Sequence, residues 1–447
     1  MNAVDNALAA FYSGERVAVL ATLIKFAHGD FDSAEDALAD AIARAVERWP
    51  NDGVPERPGA WMLTVARRLL IDEARVEARR NTSSAAAMWG TSTEVVDENT
   101  ALEQSFDEIS GQHFSGDDQS LDVGSTTADD PLDVVHDERL ALLYTCCHPS
   151  LATSAQLTLA LRTIGGLSVK QISRALLEPE ATTAQRLVRT KQKIREARVP
   201  FSIPSGVALH ERNEVVRETL YLVFNQGYTP SEAGALRTDI AAEAIRLARL
   251  LTVLMPNSAE SLGLLALMLL HHARRSARIG DDGAIVSLEE QDRTRWDRDL
   301  IQEGEHLLDR AIALQKSGPY QLQAAIAALH ATAKTAAETD WSQIAGLYGA
   351  LRFYMPTAVV ELNAAVALAM VLGPEWGLAQ LDTLASERGM SDYHLLPAAR
   401  ADLLRRAERF DEALVAYGEA MRLTESSAEQ RYLQRRVNEV SARLQLR

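Results

Sequence analysis

The stretch GLSVKQISRALLEPEATTAQRLVRTKQKIREAR, residues 166–198, decides the fold of its region because its apolar residues recur at helical spacing. Ser168 is a suitable N-cap for a first helix, and Glu178-Pro179 is a suitable stop. Thr182 or Thr183 can cap a second helix. The apolar stripe of this second helix comprises Ala184, Leu187, Val188 and Ile194. The spacing therefore predicts two short helices joined by a turn.

The second of these helices carries a basic face opposite its apolar stripe. That face consists of Gln185, Arg186, Arg189 and Lys193. From Lys170 to Arg198, eight Lys or Arg residues stand against three Glu residues, which gives a local charge of +5. Clustered cations neutralise phosphates, and Gln and Arg also bond to base edges. The pattern favours a DNA-reading helix over its alternative, an amphipathic helix pair with a solvated charged face.

Charge along the 447-residue chain is unevenly distributed. The formal net charge is −16, and residues 81–135 hold twelve Asp or Glu and no Lys or Arg, so they supply −12 and leave −4 for the rest. Residues 81–131 are rich in Ser, Thr, Gly and Asp, a composition that buries little apolar surface. We therefore expect an acidic flexible linker at 81–131 and two or three cores elsewhere.

Cysteine content and hydropathy indicate a soluble cytoplasmic protein. The two cysteines, Cys146 and Cys147, are adjacent, so they offer no disulfide framework and favour a buried pair over a metal site. The most apolar stretch, 261–270, is too short to span a bilayer, and no signal peptide is evident at the start. No nucleophile, paired-carboxylate or phosphate-loop motif is present. We expect no enzyme activity, catalytic residue, metal, cofactor or membrane association.

The carboxy-terminal half of the chain, 205–447, reads as a succession of Ala- and Leu-rich helices. A short hairpin around 280–288 is the one exception to the helical pattern. Within 393–423, Ala401, Ala413, Tyr417 and Ala420 follow the spacing of a tetratricopeptide helical hairpin. The pattern favours a tetratricopeptide-like array, with a plain helical bundle as its alternative.

The amino-terminal residues 1–80 contain two further amphipathic helices. The first, 32–49, has an apolar stripe that ends in Trp49 and an opposite side with Asp36, Asp40 and Glu47. The second, 61–80, begins with Trp61 and places Arg67, Arg68 and Arg75 away from its apolar face. Arginines beside exposed aromatics are suited to unstacked single-stranded DNA, although both tryptophans also fit an ordinary core.

The order of these segments resembles an extracytoplasmic-function sigma factor of the sigma-70 family, in the subgroup with a long tetratricopeptide-like extension. The resemblance covers sigma region 2 at 8–80, which includes AEDALADAIAR at 34–44 and GAWMLTVARRLLID at 59–72, and region 4 at 132–198. It implies an all-α chain with two small helical sigma domains, at 1–80 and 132–200, joined by the 81–131 linker. The extension at 205–447 completes the expected domain order, with YLVFNQGY at 221–228 among its similar segments.

The resemblance implies a promoter-specificity subunit whose partners are core RNA polymerase and promoter DNA. The acidic helix would bind the polymerase through Asp36, Asp40 and Glu47. The second helix would open the −10 element, and its expected contacts are Trp61, Arg67, Arg68 and Arg75. The helix from Thr183 would read the −35 element, through Thr183, Gln185, Arg186, Arg189 and Lys193. The chain departs from the family pattern at Arg68, where Asn is usual, and at Gln171, where Glu is common.

Two other functions fit parts of the sequence. A standalone helix-turn-helix regulator would bind its operator without polymerase. A helical scaffold or small-molecule sensor would retain its main activity without residues 1–200. Within the sigma reading, an extension of this size is expected to regulate or stabilise the two sigma domains, with a ligand or protein as its possible partner.

Overall fold

The computed structural model describes residues 3–88, 137–176, 178–228, 236–387 and 390–445, with the backbone alone for 77–88. Throughout these ranges the protein is helical and contains no strand, which confirms the predicted all-α class. The short hairpin predicted around 280–288 is reduced to one antiparallel bridge between Ile279 and Ile285. Most of the predicted acidic linker, 89–131, lies outside the described residues.

The chain divides into two compact units, Met1–Asp129 with Lys191–Ser202 and Asp130–Thr190 with Ile203–Arg447. The predicted domain boundaries stay predictions. In the first unit, a π-helical turn at Phe11–Glu15 joins the first two helices. The helices of the amino-terminal part are α1 (Ala3–Ala10), α2 (Arg16–Phe26), α3 (Phe31–Asp52) and α4 (Pro58–Met88).

The helices from Asp137 onward belong to the second unit, except for the end of α8, which belongs to the first. They are α5 (Glu138–Cys146), α6 (Thr153–Thr163), α7 (Val169–Ala175), α8 (Glu180–Glu196), α9 (Gly206–Tyr228), α10 (Thr238–Leu254), α11 (Ala259–His272), α12 (Arg298–Ala313), α13 (Pro319–Thr332), α14 (Trp341–Tyr354), α15 (Ala358–Leu372), α16 (Pro374–Leu384), α17 (Leu395–Arg406), α18 (Phe410–Leu423) and α19 (Ser427–Gln445). From α9 onward, most helices pack on their neighbours in the chain, while α11 also packs extensively on α13.

Helix α3 begins where the sequence provides a strong cap. The Asp30 carboxylate accepts hydrogen bonds from the backbone N–H groups of Asp32 at 3.1 Å and Ser33 at 3.3 Å. The buried face of α3 then repeats at helical spacing from Phe31 through to Trp49. Helix α3 ends before Gly53, whose φ of 86° is a left-handed conformation that suits glycine.

The segment Ala3–Phe26 is the one helical run in the described residues with the length and apolar composition of a membrane-crossing helix. A core helix of a soluble protein meets the same criteria. Here Leu20, Leu23 and Ile24 are fully buried, and α2 packs on α3 and α4. The apolar residues of this run are therefore used in the core of the first unit.

Helix α7 confirms the predicted start of the 166–198 motif. Ser168 and Gln171 form a reciprocal capping box, with Gln171 N–H to Ser168 Oγ at 3.3 Å and Ser168 N–H to Gln171 Oε1 at 2.9 Å. The predicted caps of the second helix were wrong, because α8 begins at Glu180. The Pro179 carbonyl accepts from both Thr182 and Thr183 N–H groups, which places these threonines inside the first turn.

Helices α11 and α13 approach closely at a glycine. A Cβ atom added at Gly263 would lie 2.8 Å from the backbone nitrogen of Gln321 and 3.0 Å from its Cα atom. Because backbone atoms cannot yield as a flexible side chain does, this crossing tolerates only glycine. Gly346 in α14 has nothing within 4 Å of the same position, so it offers a matched comparison.

We expect Gly263→Ala to lower the free energy of unfolding by about 1–3 kcal/mol, since the added methyl group must push α11 and α13 apart. Gly346→Ala should raise the same quantity by about 0.5–1 kcal/mol, because alanine loses less backbone entropy in a helix. Urea unfolding followed by circular dichroism measures both. Equal effects of the two substitutions would contradict the close approach.

Candidate nucleic-acid interfaces

Helix α8 buries a different stripe from the one predicted. Its buried residues are Thr183, Leu187, Thr190 and Ile194, which recur at intervals of three and four. Val188, expected on the inner stripe, has 66% of its surface exposed. Because Thr183 and Leu187 face inward, the apolar side chain of Val188 lies on the outer face.

Arg186 is held by an internal network. Its guanidinium donates twice to the Glu178 carboxylate, with both nitrogen–oxygen distances at 2.6 Å, and once to Thr158 Oγ1 at 3.1 Å. The Thr183 hydroxyl also donates to Glu178, at 2.6 Å. The hydrogen bond from Arg186 lowers the pKa of the Glu178 carboxyl. Two of the five predicted −35 residues are therefore engaged in holding α8 to the turn before it and to α6.

The other three predicted −35 residues, Gln185, Arg189 and Lys193, are exposed. They lie at spacings of four along α8 and so share one face. Together with the exposed Val188, this outer face presents one amide, two cations and one apolar side chain. These are the groups that contact base edges, phosphates and thymine methyl groups in a major groove.

Two basic residues at the end of α8 form ion pairs that sequence reasoning missed. Within the first unit, Lys191 Nζ lies 3.0 Å from Asp32 and 2.9 Å from Glu35, and Arg195 lies 3.1 Å from both Asp30 and Asp32. Burial lowers the pKa of Lys191, but Glu35 and Asp32 outweigh it and the pKa is raised. The local charge of +5 therefore overstates the positive charge that the segment presents to solvent.

The predicted −10 residues occupy three different environments on α4. Trp61 is partly buried, with its ring 5.4 Å from that of Trp49 in an edge-on arrangement. The Arg67 guanidinium lies over the Phe26 ring at 5.6 Å, and its Nε atom is buried. Arg68 and Arg75 are exposed, and the 3.9 Å pair of Arg75 with Asp72 is solvated. The structure thus leaves Arg68 and Arg75 accessible and uses Arg67 in packing.

The predicted polymerase-binding residues Asp36, Asp40 and Glu47 are all exposed on α3. No ion pair within the described ranges involves any of the three. They lie opposite a buried face that ends in Trp49. This side of α3 is therefore an accessible acidic surface.

The adjacent cysteines are a buried pair, as predicted. Cys146 Sγ lies 3.4 Å from Thr163 Oγ1, and Cys147 Sγ lies 3.5 Å from Thr219 Oγ1. Burial raises the pKa of the Cys147 thiol to about 12, so it stays protonated at neutral pH. In the part of the chain that the structure describes, no group of three His, Cys, Asp or Glu side chains could hold a metal ion.

A charged cluster joins the start of α5 to α10 inside the second unit. The Arg246 guanidinium contacts Asp137 at 2.8 Å and Glu243 at 3.0 Å, and Arg139 contacts Glu243 at 3.3 Å. Burial raises the pKa of the Asp137 carboxyl, but Arg246 outweighs it and the pKa is lowered. Helix α9 packs on α6, and both α9 and α10 pack on α5. Residues 137–190 therefore share one core with the helices that follow residue 203.

Comparison with known proteins gives two family matches and one full-length relative. Residues 13–80 match the Sigma-70 region 2 family, and residues 212–312 match a family of unknown function (DUF6596). An uncharacterized protein of Rhizobium meliloti (strain 1021) is 37% identical over 414 residues, which cover 92% of this chain and 91% of that protein. No solved structure matches the chain.

The sigma region 2 match over the amino-terminal helices supports a sigma-70 family factor. The chain belongs to the same family as the Rhizobium meliloti protein. In this chain the sigma module precedes the domain of unknown function. Sigma-70 factors act in transcription initiation with core RNA polymerase and promoter DNA, and they are not enzymes.

We expect Arg186→Met to reduce the hydrogen-exchange protection of α8 at neutral pH by about 1–3 kcal/mol, since the Glu178 carboxylate loses its partner. Glu178 has a lowered pKa in the native state, so this contribution is complete above the ordinary value of 4.5 and disappears as the pH falls through the lowered value. The difference from the wild type should therefore shrink in acid. Arg189→Met, at an exposed position on the same helix, is the control and should change protection little.

Proposed function

We propose that the chain is an extracytoplasmic-function sigma factor that directs core RNA polymerase to specific promoters and helps to melt the −10 element. The observation that carries this proposal is the pairing of a sigma region 2 module with a second helix pair whose outer face is basic. A sigma subunit acts beside the polymerase, so the proposed location is the cytoplasm.

The −35 element is read, in this proposal, by the outer face of α8. Gln185 and Arg189 supply donors for base edges, and Lys193 supplies a cation for a phosphate. Thr183 and Arg186 act indirectly, because their contacts with Glu178 hold the helix in place. Of the five expected contact residues, three are exposed and are proposed to contact DNA, and the other two position the helix.

The −10 element is bound, in this proposal, by the start of α4. Trp61 offers a partly accessible ring edge, and Arg68 and Arg75 offer exposed cations. Binding of a splayed strand offsets an unstacking cost of about a few kcal/mol per step, so melting requires no catalytic residue. Arg68 stands where the family usually has Asn, at a position that helps to shape the −10 base pocket, so the base preference of relatives with Asn does not carry over to this chain.

The acidic side of α3 is the proposed contact with the clamp helices of the largest polymerase subunit. Asp36, Asp40 and Glu47 are exposed and carry like charge. Complementary charge across an interface raises the rate of encounter and excludes wrong partners. We therefore expect the polymerase surface that contacts this side of α3 to be basic.

The carboxy-terminal extension is proposed to stabilise and regulate the promoter-reading helices. Its tetratricopeptide-like character is supported by the buried small and aromatic residues Ala401, Ala413, Tyr417 and Ala420, which pack together in one core. The shared core of α5, α6, α9 and α10 supports a direct structural role. The extension would then take the place of a separate regulator.

We expect Gln185→Ala/Arg189→Ala to lower in vitro transcription from a cognate promoter by at least about tenfold, because each lost base contact removes roughly 1–3 kcal/mol of discrimination. Purified full-length protein and core polymerase are assayed on templates with an intact and a scrambled −35 element. The variant and the wild type should differ only on the intact template. Arg310→Ala, an exposed substitution on α12, is the control. Unchanged output from the double variant would remove α8 as the reader.

We expect truncation after residue 204 to expose the faces of α5 and α6 that α9 and α10 cover. Hydrogen exchange of residues 138–163 should lose most of its protection, and −35-dependent transcription should fall with it. The point variant Arg246→Met tests the same contact in the full chain, where an uncompensated buried carboxylate costs about 3–5 kcal/mol. Transcription and protection that survive both changes would contradict a stabilising extension.

A further inference from the structure

A group of basic and polar side chains lies in the second unit, where the ends of α9, α11 and α13 meet. This basic cluster comprises Tyr228, His271, Arg274, Arg278 and His330. The two arginines stand on either side of a short helical turn that follows α11. All members except His330 fall within the domain of unknown function at 212–312, and none lies on a helix proposed to contact the promoter.

Short contacts tie the two arginines of the basic cluster to the end of α11. The Arg274 Nη2 atom donates to His271 Nδ1 at 3.1 Å. The Arg278 guanidinium lies over the Tyr228 ring, with its Cζ atom 5.1 Å from the ring centre. The Tyr228 hydroxyl in turn lies 2.6 Å from His272 Nδ1. Both guanidinium groups are therefore held in place by aromatic and imidazole rings.

Neither arginine of the basic cluster has a counter-ion. Among the residues that the structure describes, no carboxylate forms an ion pair with Arg274 or Arg278. The two carboxylates whose charge reaches the cluster already have partners. Asp297 pairs with Arg275 at 3.1 Å, and Glu429 contacts a histidine of α17 and its preceding turn at 3.0 Å. The cluster therefore holds two positive charges that the described side chains leave unpaired.

The unpaired nitrogen atoms of these arginines are accessible. Both residues are half-buried. The Nε and Nη1 atoms of Arg274, and all three guanidinium nitrogens of Arg278, donate to no described group and are not buried. Because His271 Nδ1 accepts from Arg274, the proton of this neutral ring lies on Nε2, which is also not buried. A ligand can therefore reach donors on both arginines and on His271.

The basic cluster is recessed enough for its charges to repel one another. Burial, and next the charge of Arg278, lower the pKa of Arg274 to about 10, so Arg274 stays protonated at neutral pH. Burial, and next the charge of Arg274, lower the pKa of both histidines, to about 4 for His330 and well below the ordinary value for His271. The cluster thus presents two cations beside neutral imidazole rings, and an anion between the cations would offset their repulsion.

We propose that the basic cluster binds a small molecule through a dianionic phosphoryl group, supplied by a phosphate monoester or by inorganic phosphate. A dianion compensates both Arg274 and Arg278, whereas a monoanion leaves one positive charge uncompensated. A phosphate monoester carries a charge of about −1.5 to −2 at neutral pH, and guanidinium groups pair with phosphate through parallel N–H donors. The His271 Nε2–H group supplies a further, neutral donor. The domain of unknown function thereby contains a phosphoryl site.

Isothermal titration calorimetry of the full-length chain at about pH 8 tests this inference, because phosphate monoesters are dianionic there. Methyl phosphate is compared with methyl sulfate, which has the same shape and a single negative charge. We expect methyl phosphate to bind about tenfold or more tightly, since the sulfate ester leaves one arginine uncompensated. Inorganic phosphate and glycerol 3-phosphate distinguish the source of the group, because a metabolite site favours the glycerol ester and a site for free phosphate favours inorganic phosphate.

Two variants test the two arginines separately. Arg274→Gln and Arg278→Gln should each weaken binding of methyl phosphate by about tenfold or more and reduce its advantage over methyl sulfate, because one cation remains. Arg310→Gln, which removes an exposed charge on α12, is the control and should bind as the wild type does. Thermal unfolding shows whether each variant is folded. Arg278→Gln serves if Arg274→Gln is not, because Arg278 donates no hydrogen bond to a described group.

Three results would overturn the inference. These are no binding of any of the phosphates at millimolar concentration, equal affinity for methyl phosphate and methyl sulfate, or affinities that folded Arg278→Gln leaves unchanged. A short single-stranded oligonucleotide is titrated as well, since its phosphodiesters carry single charges. Binding of the oligonucleotide in preference to the monoesters would identify a nucleic-acid surface and would also overturn the inference. Because the phosphate titrations contain neither polymerase nor promoter DNA, their outcome is independent of the proposed sigma activity.

Discussion

The contact of α5 and α6 with α9 and α10 is the constraint on which the second unit depends. Arg246 forms ion pairs with Asp137 and Glu243 in that contact, and Cys147 contacts Thr219. A partly buried guanidinium between two carboxylates is favourable only while all three remain together. The helices before the 166–198 motif are therefore held by residues more than 70 positions further along the chain. Helix α8, the proposed −35 reader, in turn contacts α6 through Arg186 and Thr158.

Local patterns predicted the secondary structure well where caps and periodicity agree. Ser168 with Gln171 marked the start of α7, and the apolar repeat before Trp49 marked the buried face of α3. The start of α8 was placed too late because threonine caps helices and also tolerates a first turn. The helix begins directly after Pro179, whose carbonyl accepts the first hydrogen bonds of α8. In this helix Thr183 faces inward and Val188 faces outward.

The sequence predicted which residues belong to the candidate site. It did not predict which of their side chains are exposed and which form internal contacts. Exposure of Gln185, Arg189 and Lys193 follows from helical periodicity. The internal use of Arg186 and Lys191 does not, since their partners Glu178, Asp32 and Glu35 become neighbours only through the turn and tertiary packing.

The shared core also bears on how such a chain can change over time. Suppose that the helices proposed to bind the promoter and the carboxy-terminal extension were independent domains. Recombination could then join either part to an unrelated partner. In this chain, a crossover between residues 190 and 205 would separate α5 and α6 from α9 and α10. It would thereby place one side of a packed interface against an unrelated sequence. The similarity to the Rhizobium meliloti protein runs through both parts, over 414 residues. Because contacts such as the Arg246 cluster join the two parts, we expect the two parts to be inherited together.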